Sequence, residues 1–248
     1  DTMAVGAGDG FDERGVNTGA VYVYSATGPG EWTQVDKLLA DDGREYDDFG
    51  GAVDLFEDTM VVGSNGMFLP GAVYIFTYRS GRWSQSQKIL PDDSAVDDLF
   101  GQSVAMFADT IVVSAKWNAE RGYRSGAAYV LTRKKTNDGV QEEWVQSQKL
   151  TADDAAVQDN FGSSVAIDGD TIVVGAYNDD DKGQESGSAY IFKRNKKGLW
   201  KQSRKLVAPD GEYNDWFGNC VAASGDTVVV CNNFDDDRAD ASGSVYVF

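Results

Sequence analysis

A Phe-Gly pair recurs four times along this chain, as Phe49-Gly50, Phe100-Gly101, Phe161-Gly162 and Phe217-Gly218, at spacings of 51, 61 and 56 residues. Self-similarity at such a period marks an array of like units, each too small to bury its own apolar surface and therefore stacked on its neighbours. Every copy opens the same series. In the third it runs FGSSVAIDG from Phe161, DTIVVGA from Asp170, a Gly/Asp-rich loop, SGSAYIF from Ser186, a basic loop, and WKQSRKL from Trp200. The four apolar segments are short, rich in Val, Ile, Tyr, Phe and Trp, and bounded by Gly, Asp and Asn, which predicts strands and not helices. The unit is a four-stranded antiparallel meander, and the chain is all-β.

Two-residue turns join the first and second strands of each unit at Glu57-Asp58, Ala108-Asp109, Gly169-Asp170 and Gly225-Asp226. Turns that short dictate register. They set Cys220 opposite Cys231, and in the other units Ala52 opposite Gly63, Ser103 opposite Ser114 and Ser164 opposite Gly175. Small pairs on one face and Val pairs on the next suit a sheet buried on both sides, as in the blades of a β-propeller. A Cys220–Cys231 disulfide is compatible with this register, and so are two small buried thiols.

Taken together, the FG pair, Val173-Val174-Gly175-Ala176 and the segment GAVYVY from Gly19 resemble the FG-GAP repeat family. That family builds the β-propeller head of integrin α subunits and many microbial and algal extracellular proteins. The W-x-Q-S-x-K-L strand and the D-x-F-G lead-in are most similar to its bacterial-type branch, and the likeness covers essentially the whole chain. It implies a non-enzymatic, extracellular or cell-surface module for adhesion or protein binding. One family feature does not carry over: integrin propellers hold calcium in a D-x-D-x-D-G loop between strands one and two, and here that connection is a two-residue turn. Strands two and three occur five times, strands one and four only four times. The expectation is a single propeller over residues 1–248, with units starting near 1, 49, 100, 161 and 217 and the first and last incomplete. The family resemblance implies seven blades, of which about five are here; the alternative is a five-bladed ring with one defective closure.

Charge narrows the function. The chain has 40 Asp plus Glu against 22 Lys plus Arg, a formal net charge of −18, and no His. A phosphate-backbone partner is excluded on that balance, and His-dependent catalysis and His-ligated metals are excluded outright. No apolar run approaches the ~20 residues of a membrane span. In a meander, the loops between strands two and three emerge at the same end as the links between units. Together those loops and links hold 27 acidic and seven basic residues, a net of −20, leaving +2 for the remainder. One face therefore carries the excess charge.

Asp recurs seven and two residues before each FG phenylalanine, as Asp42 and Asp47, Asp93 and Asp98, Asp154 and Asp159, Asp210 and Asp215. Recurrence in every unit favours a structural duty, such as accepting backbone N–H groups in the links. The loops between strands two and three supply oxygens suited to calcium, from Asp9, Asp12 and Glu13, from Asp179, Asp180 and Asp181, and from Asp235, Asp236 and Asp237. Phe68 and Trp117 break the loop pattern of their units and read as partner contacts. The resulting function is a rigid propeller presenting an acidic loop face to protein or glycan partners. Alternatives are a structural subunit assembling by acidic-face to basic-loop contacts, and a glycan-cleaving propeller enzyme using a carboxylate pair.

Overall fold

The computed structural model describes residues 1–11, 15–66, 69–93, 95–136, 142–236 and 242–248. Among these there is no helix, and so none long and apolar enough to cross a membrane. Eighteen strands form five antiparallel sheets, each a meander in chain order. The first blade contains β1 (Thr2–Ala7), β2 (Ala20–Gly28) and β3 (Glu31–Leu38). The second contains β4 (Phe49–Phe56), β5 (Thr59–Ser64), β6 (Ala72–Arg79) and β7 (Arg82–Ile89). The third contains β8 (Phe100–Phe107), β9 (Thr110–Ala115), β10 (Ala127–Lys135) and β11 (Glu142–Leu150). The fourth contains β12 (Val165–Asp168), β13 (Thr171–Ala176), β14 (Ser188–Arg194) and β15 (Trp200–Leu206). The fifth contains β16 (Phe217–Ser224), β17 (Thr227–Asn232) and β18 (Ser244–Val247).

No blade has a core of its own. The buried residues fall into four clusters, each built from one face of a blade and the facing side of the next. Phe161, for example, lies with Val112 and Val130 of the third blade and Val174 and Tyr190 of its own. The FG phenylalanines are fully buried. Each meets the strand-three tyrosine of its blade edge-to-face, Phe49 with Tyr74, Phe100 with Tyr129, Phe161 with Tyr190 and Phe217 with Tyr246, at 5.3 to 5.5 Å between ring centroids. That geometry places a positive ring edge against a negative ring face.

The sequence W-x-Q-S-x-K-L decomposes residue by residue. Its Trp wedges between blades: Trp83, Trp144 and Trp200 are buried, whereas Trp32 of the first blade is 44% exposed. Its Ser fills a β-bulge, where Ser86, Ser147 and Ser203 donate to the carbonyls of Ile75, Val130 and Ile191 at the register shifts of the third strand. Its first Gln caps a link, accepting the amide of Asp41 (Gln85), Asp92 (Gln146) or Asp153 (Gln202). The residue before Lys clamps the next blade: Gln87 donates to the carbonyl of Trp144 and accepts its amide, and Gln148 does the same for Trp200. A side-chain amide thus replaces a backbone pair between two sheets that otherwise share none there.

The FG step is itself an inter-blade backbone contact. The amides of Phe49, Phe100, Phe161 and Phe217 donate to Thr18, Pro70, Ser125 and Ser186 of the preceding blade. Beside each bond a Gly enters strand three in the left-handed region; at Gly187 (φ 82°) an added Cβ would lie 2.1 Å from the Phe217 carbonyl oxygen. The fourth blade departs from the expected pattern. Its first strand is only Val165–Asp168, because Gly162 and Ser163 both donate to the Gly175 carbonyl and Phe161 keeps just an isolated bridge to Gly126. In the fifth, Cys220 faces Cys231 and the two form a disulfide.

Gly187→Ala is expected to cost about 3 kcal/mol or more, since left-handed strain adds to a backbone clash. Gly198→Ala serves as the control, at φ 78° with open space around the position, and should cost about 1 kcal/mol. Denaturant unfolding of both variants checks this ordering; equal losses would contradict it.

Candidate functional site at the link face

Each link is held in an unusual backbone conformation by its second Asp. The residues three and one before the FG phenylalanine all have positive φ: Tyr46 and Asp48, Asp97 and Leu99, Gln158 and Asn160, Asn214 and Trp216. None is Gly, so each costs strain. The Asp between them offsets it: Asp47, Asp159 and Asp215 accept the amides of Arg44, Ala156 and Glu212 at 2.6 to 2.7 Å, and Asp98 is bonded by the Ala95 amide. Links and strand two-to-three loops are laced together by backbone bonds, among them Trp117 to Asp98, Gln158 to Tyr123, Asn214 to Gln184 and Trp216 to Glu185. Both sets of loops therefore lie at one end, as the meander requires.

The first Asp of each of the first three links takes the strand-three tyrosine and the strand-four lysine. Tyr74 donates to Asp42 at 2.9 Å and Tyr129 to Asp93 at 2.8 Å, while Lys88 and Lys149 pair with the second oxygens at 2.5 Å. The same lysines lie over the tyrosine rings, 5.0 and 5.1 Å from the centroids. Burial alone would raise Asp42, Asp93 and Asp154, but the bonds from lysine and tyrosine hold all three below the ordinary value. Burial beside the carboxylate pushes the Tyr74 hydroxyl up to about 12.

These lysines correct the charge sorting made from topology. Lys is the penultimate residue of strand four, which runs toward the links, so its side chain reaches the acidic end and not the rim. Lys37 likewise donates to the Phe11 carbonyl in a strand two-to-three loop. Counting Lys37, Lys88, Lys149 and Lys205 with the loops changes their net charge from −20 to −16. The tyrosines and lysines were missed as site residues, although both recur at fixed places in each unit.

The fourth blade gathers the most carboxylates. Asp154, Asp179 and Asp181 place oxygens within 4.8 Å of one another, the ligand set of a cation. The Lys205 ammonium contacts all three, at 2.7, 2.9 and 2.7 Å. Asp179 is buried, accepting from Tyr190 and Ser188 at 2.8 Å each. Of the calcium candidates, Asp179 and Asp181 thus converge, joined by a link Asp that loop composition alone did not single out. Asp180 points elsewhere, accepting the Glu185 amide. Asp235 is buried against Ser244, Asn232 and Tyr246, Asp236 is exposed, and Asp9 is exposed near Asp48. Asp12, Glu13, Asp237 and Phe68 lie outside the described residues. Trp117 is half-buried, with the Arg124 guanidinium 3.8 Å from its ring centroid. A second aromatic group is Tyr177, Trp216 and Phe234, with ring centroids 5.1 and 4.5 Å apart in tilted and edge-to-face contact, and of the three Phe234 is exposed.

The model of the FG-GAP repeat family matches residues 32–76, 83–131, 144–192 and 200–248. Each matched unit begins at the strand-four Trp of one blade and ends in strand three of the next, so the repeat recognised by sequence spans an inter-blade contact. No curated protein matches.

Asp159 supplies a pH test. Burial, reinforced by Asp179, pushes its carboxyl up to about 6 against Ala156 and Lys205, which pull it down. Between its ordinary value and about 6 the folded chain holds a proton that the unfolded chain lacks, so the contribution of this group to stability grows as pH falls through 6 and is lost as pH rises. Asp159→Asn keeps an acceptor for the Ala156 amide and removes the charge. The variant should gain on wild type by about 1 kcal/mol or more between pH 5 and 7, read by denaturant midpoints across that range. A constant difference with pH would contradict the assignment.

Proposed function

Because the chain belongs to the FG-GAP repeat family, we propose that it is a non-enzymatic, extracellular interaction module that binds a protein or glycan partner through its acidic link face. The observation that carries this reading is the convergence of links and strand two-to-three loops at one end, tied to each other and to the blades by backbone hydrogen bonds. Loops so fixed lose little entropy on binding, which favours a recognition surface, and their negative field steers a cationic partner toward them. Asp42, Asp93 and Asp154 are held ionised by their lysine and tyrosine partners, an arrangement that supports binding over acid–base turnover.

Calcium fits the same surface as an auxiliary ion. Asp154, Asp179 and Asp181 are the residues that would hold it, in competition with Lys205, which already neutralises part of their charge. The disulfide supports an oxidising, extracellular setting.

The test uses two variants on arrays of extracellular-matrix proteins and glycans, each read with and without millimolar calcium. One carries Asp180→Asn, Glu212→Gln and Asp236→Asn; the other carries Lys134→Gln, Lys135→Gln, Lys196→Gln and Lys197→Gln at the opposite end. Binding lost at least tenfold in the first and kept in the second is the expected outcome. The reverse pattern, or turnover of an arrayed glycan, overturns the reading, and equal binding with and without calcium removes the ion from it.

A further inference from the structure

Three places meet at the link end wherever one blade follows another: the residue after strand two of the first blade, the left-handed residue before the FG phenylalanine, and the second residue after strand two of the next blade. From the fourth blade to the fifth these are Tyr177, Trp216 and Phe234, whose ring centroids lie 5.1 and 4.5 Å apart. From the first to the second they are Gly8, Asp48 and Gly66, where an added Cβ at Gly8 would strike Asp48 Oδ1 and one at Gly66 would meet the backbone of Asp47. From the third to the fourth, two blades with a neighbour on both sides, they are Lys116, Asn160 and Asn178. This is the one step of the four at which all three side chains are polar.

The described residues satisfy none of the three. Asn160 is 5% exposed and its Oδ1 is buried without a donor, as is Oδ1 of Asn178. Buried acceptors are costly to leave unpaired and point to a ligand that brings donors. Lys116 is half-buried, and its ammonium has no ion pair or hydrogen bond among the described residues; Glu120 of the same loop is committed to Lys149 at 2.6 Å. Burial and repulsion from Arg124 hold the Lys116 ammonium below its ordinary value. Arg124 is fixed beside the site, because its carbonyl accepts the Asn160 amide at 3.1 Å and its guanidinium lies 3.8 Å from the ring centroid of Trp117 and 5.0 Å from that of Tyr123. No carboxylate pairs with it among the described residues. Two cations without counter-ions and two acceptors without donors thus share one place, with Trp117 on one side and Tyr177, within reach of the Arg124 charge, on the other.

We propose that the step between the third and fourth blades is a binding site for an acidic sugar: Lys116 and Arg124 take the carboxylate of a uronic acid residue, Asn160 and Asn178 accept its hydroxyls, and Tyr177 flanks its ring. The ligand class follows from what the site lacks. A neutral sugar brings hydroxyl donors but no charge, and an acidic peptide side chain brings a carboxylate without hydroxyls beside it; a uronic acid carries both on one ring, with an apolar face suited to an aromatic neighbour. The surrounding loops and links carry a net charge of −16, so a dense polyanion is repelled and a glycan with widely spaced carboxylates is admitted. None of the acidic residues of that end belongs to the site, so the proposal stands or falls apart from the function proposed above.

The probes are a hexasaccharide of alternating glucuronic acid and N-acetylglucosamine and a xylo-oligosaccharide bearing a single glucuronic acid, each prepared also with its carboxyls reduced to alcohols. They are titrated calorimetrically into the 248-residue chain. Saturable binding of at least one acidic probe is expected, weakened about tenfold by carboxyl reduction, a size set by charge-assisted bonds at a half-buried site. The substitutions borrow residues that the fold already carries at the same places: Lys116→Asn, after Asn65 and Asn233, and Asn160→Leu, after the left-handed Leu99. Lys116→Asn should weaken the acidic probe about tenfold and leave the reduced probe unchanged, whereas Asn160→Leu should weaken both alike. The variant with Asp180→Asn, Glu212→Gln and Asp236→Asn should keep its affinity for the acidic probe. Absence of saturable binding by both acidic probes, equal binding of acidic and reduced forms, indifference to Lys116→Asn, or a hexaglutamate peptide bound as tightly with the same dependence on Lys116 would each overturn the proposal.

Discussion

The structure depends on a backbone-to-backbone contact made at each FG step. A blade of four short strands cannot bury its two faces, so its apolar side chains are buried against the blade before it or the blade after it. What aligns one blade on another is the bond from the FG phenylalanine amide to the preceding blade, in a space that only glycine leaves open at Gly19, Gly71, Gly126 and Gly187. The rest follows from that close approach. The phenylalanine ring is driven into the cleft against tyrosine, the tyrosine hydroxyl emerges at the link end, and the first link Asp meets it there.

A second consequence is that the links are stiff. Their alternating left-handed residues would be unfavourable in a free loop, and they persist because a buried Asp accepts the amide three residues upstream while the neighbouring strand two-to-three loop supplies backbone partners. Carboxylates are costly to bury without such bonds. The acidic face thus combines two populations: inner carboxylates committed to the fold, each with defined donors, and outer ones such as Glu212 and Asp236 that remain at the surface for a partner. Lys88, Lys149 and Lys205 stand between them and keep the inner layer from self-repulsion.

Much of the fold was legible in the residues because its rules are short-range. The repeat of Phe-Gly and the two-residue turns sufficed for eighteen strands, five units and the facing of Cys220 and Cys231. The inner site was less legible, since it depends on where side chains from different blades arrive. W-x-Q-S-x-K-L is visible as a motif, but the roles of Gln87 as a clamp on Trp144 and Ser86 as the filler of a bulge arise from inter-blade geometry that no spacing encodes. Left-handed Tyr46, Leu99 and Trp216 carry no glycine to announce themselves. The strand-four lysines were counted with the remainder and not with the link end because topology locates a strand, not the end of a long side chain.

The central claim, that inter-blade bonds at the FG steps and not the sheets alone hold the molecule together, is tested most directly by native-state hydrogen exchange at four amides, Phe49, Phe100, Phe161 and Phe217. If the claim holds, these amides exchange as slowly as the central strand-two amides of β5, β9 and β13 and open only with them, because a blade cannot detach without losing its buried face. Exchange at the four phenylalanines as fast as in the exposed loops, with the strand pairs still protected, would show blades that are stable singly and would contradict the account.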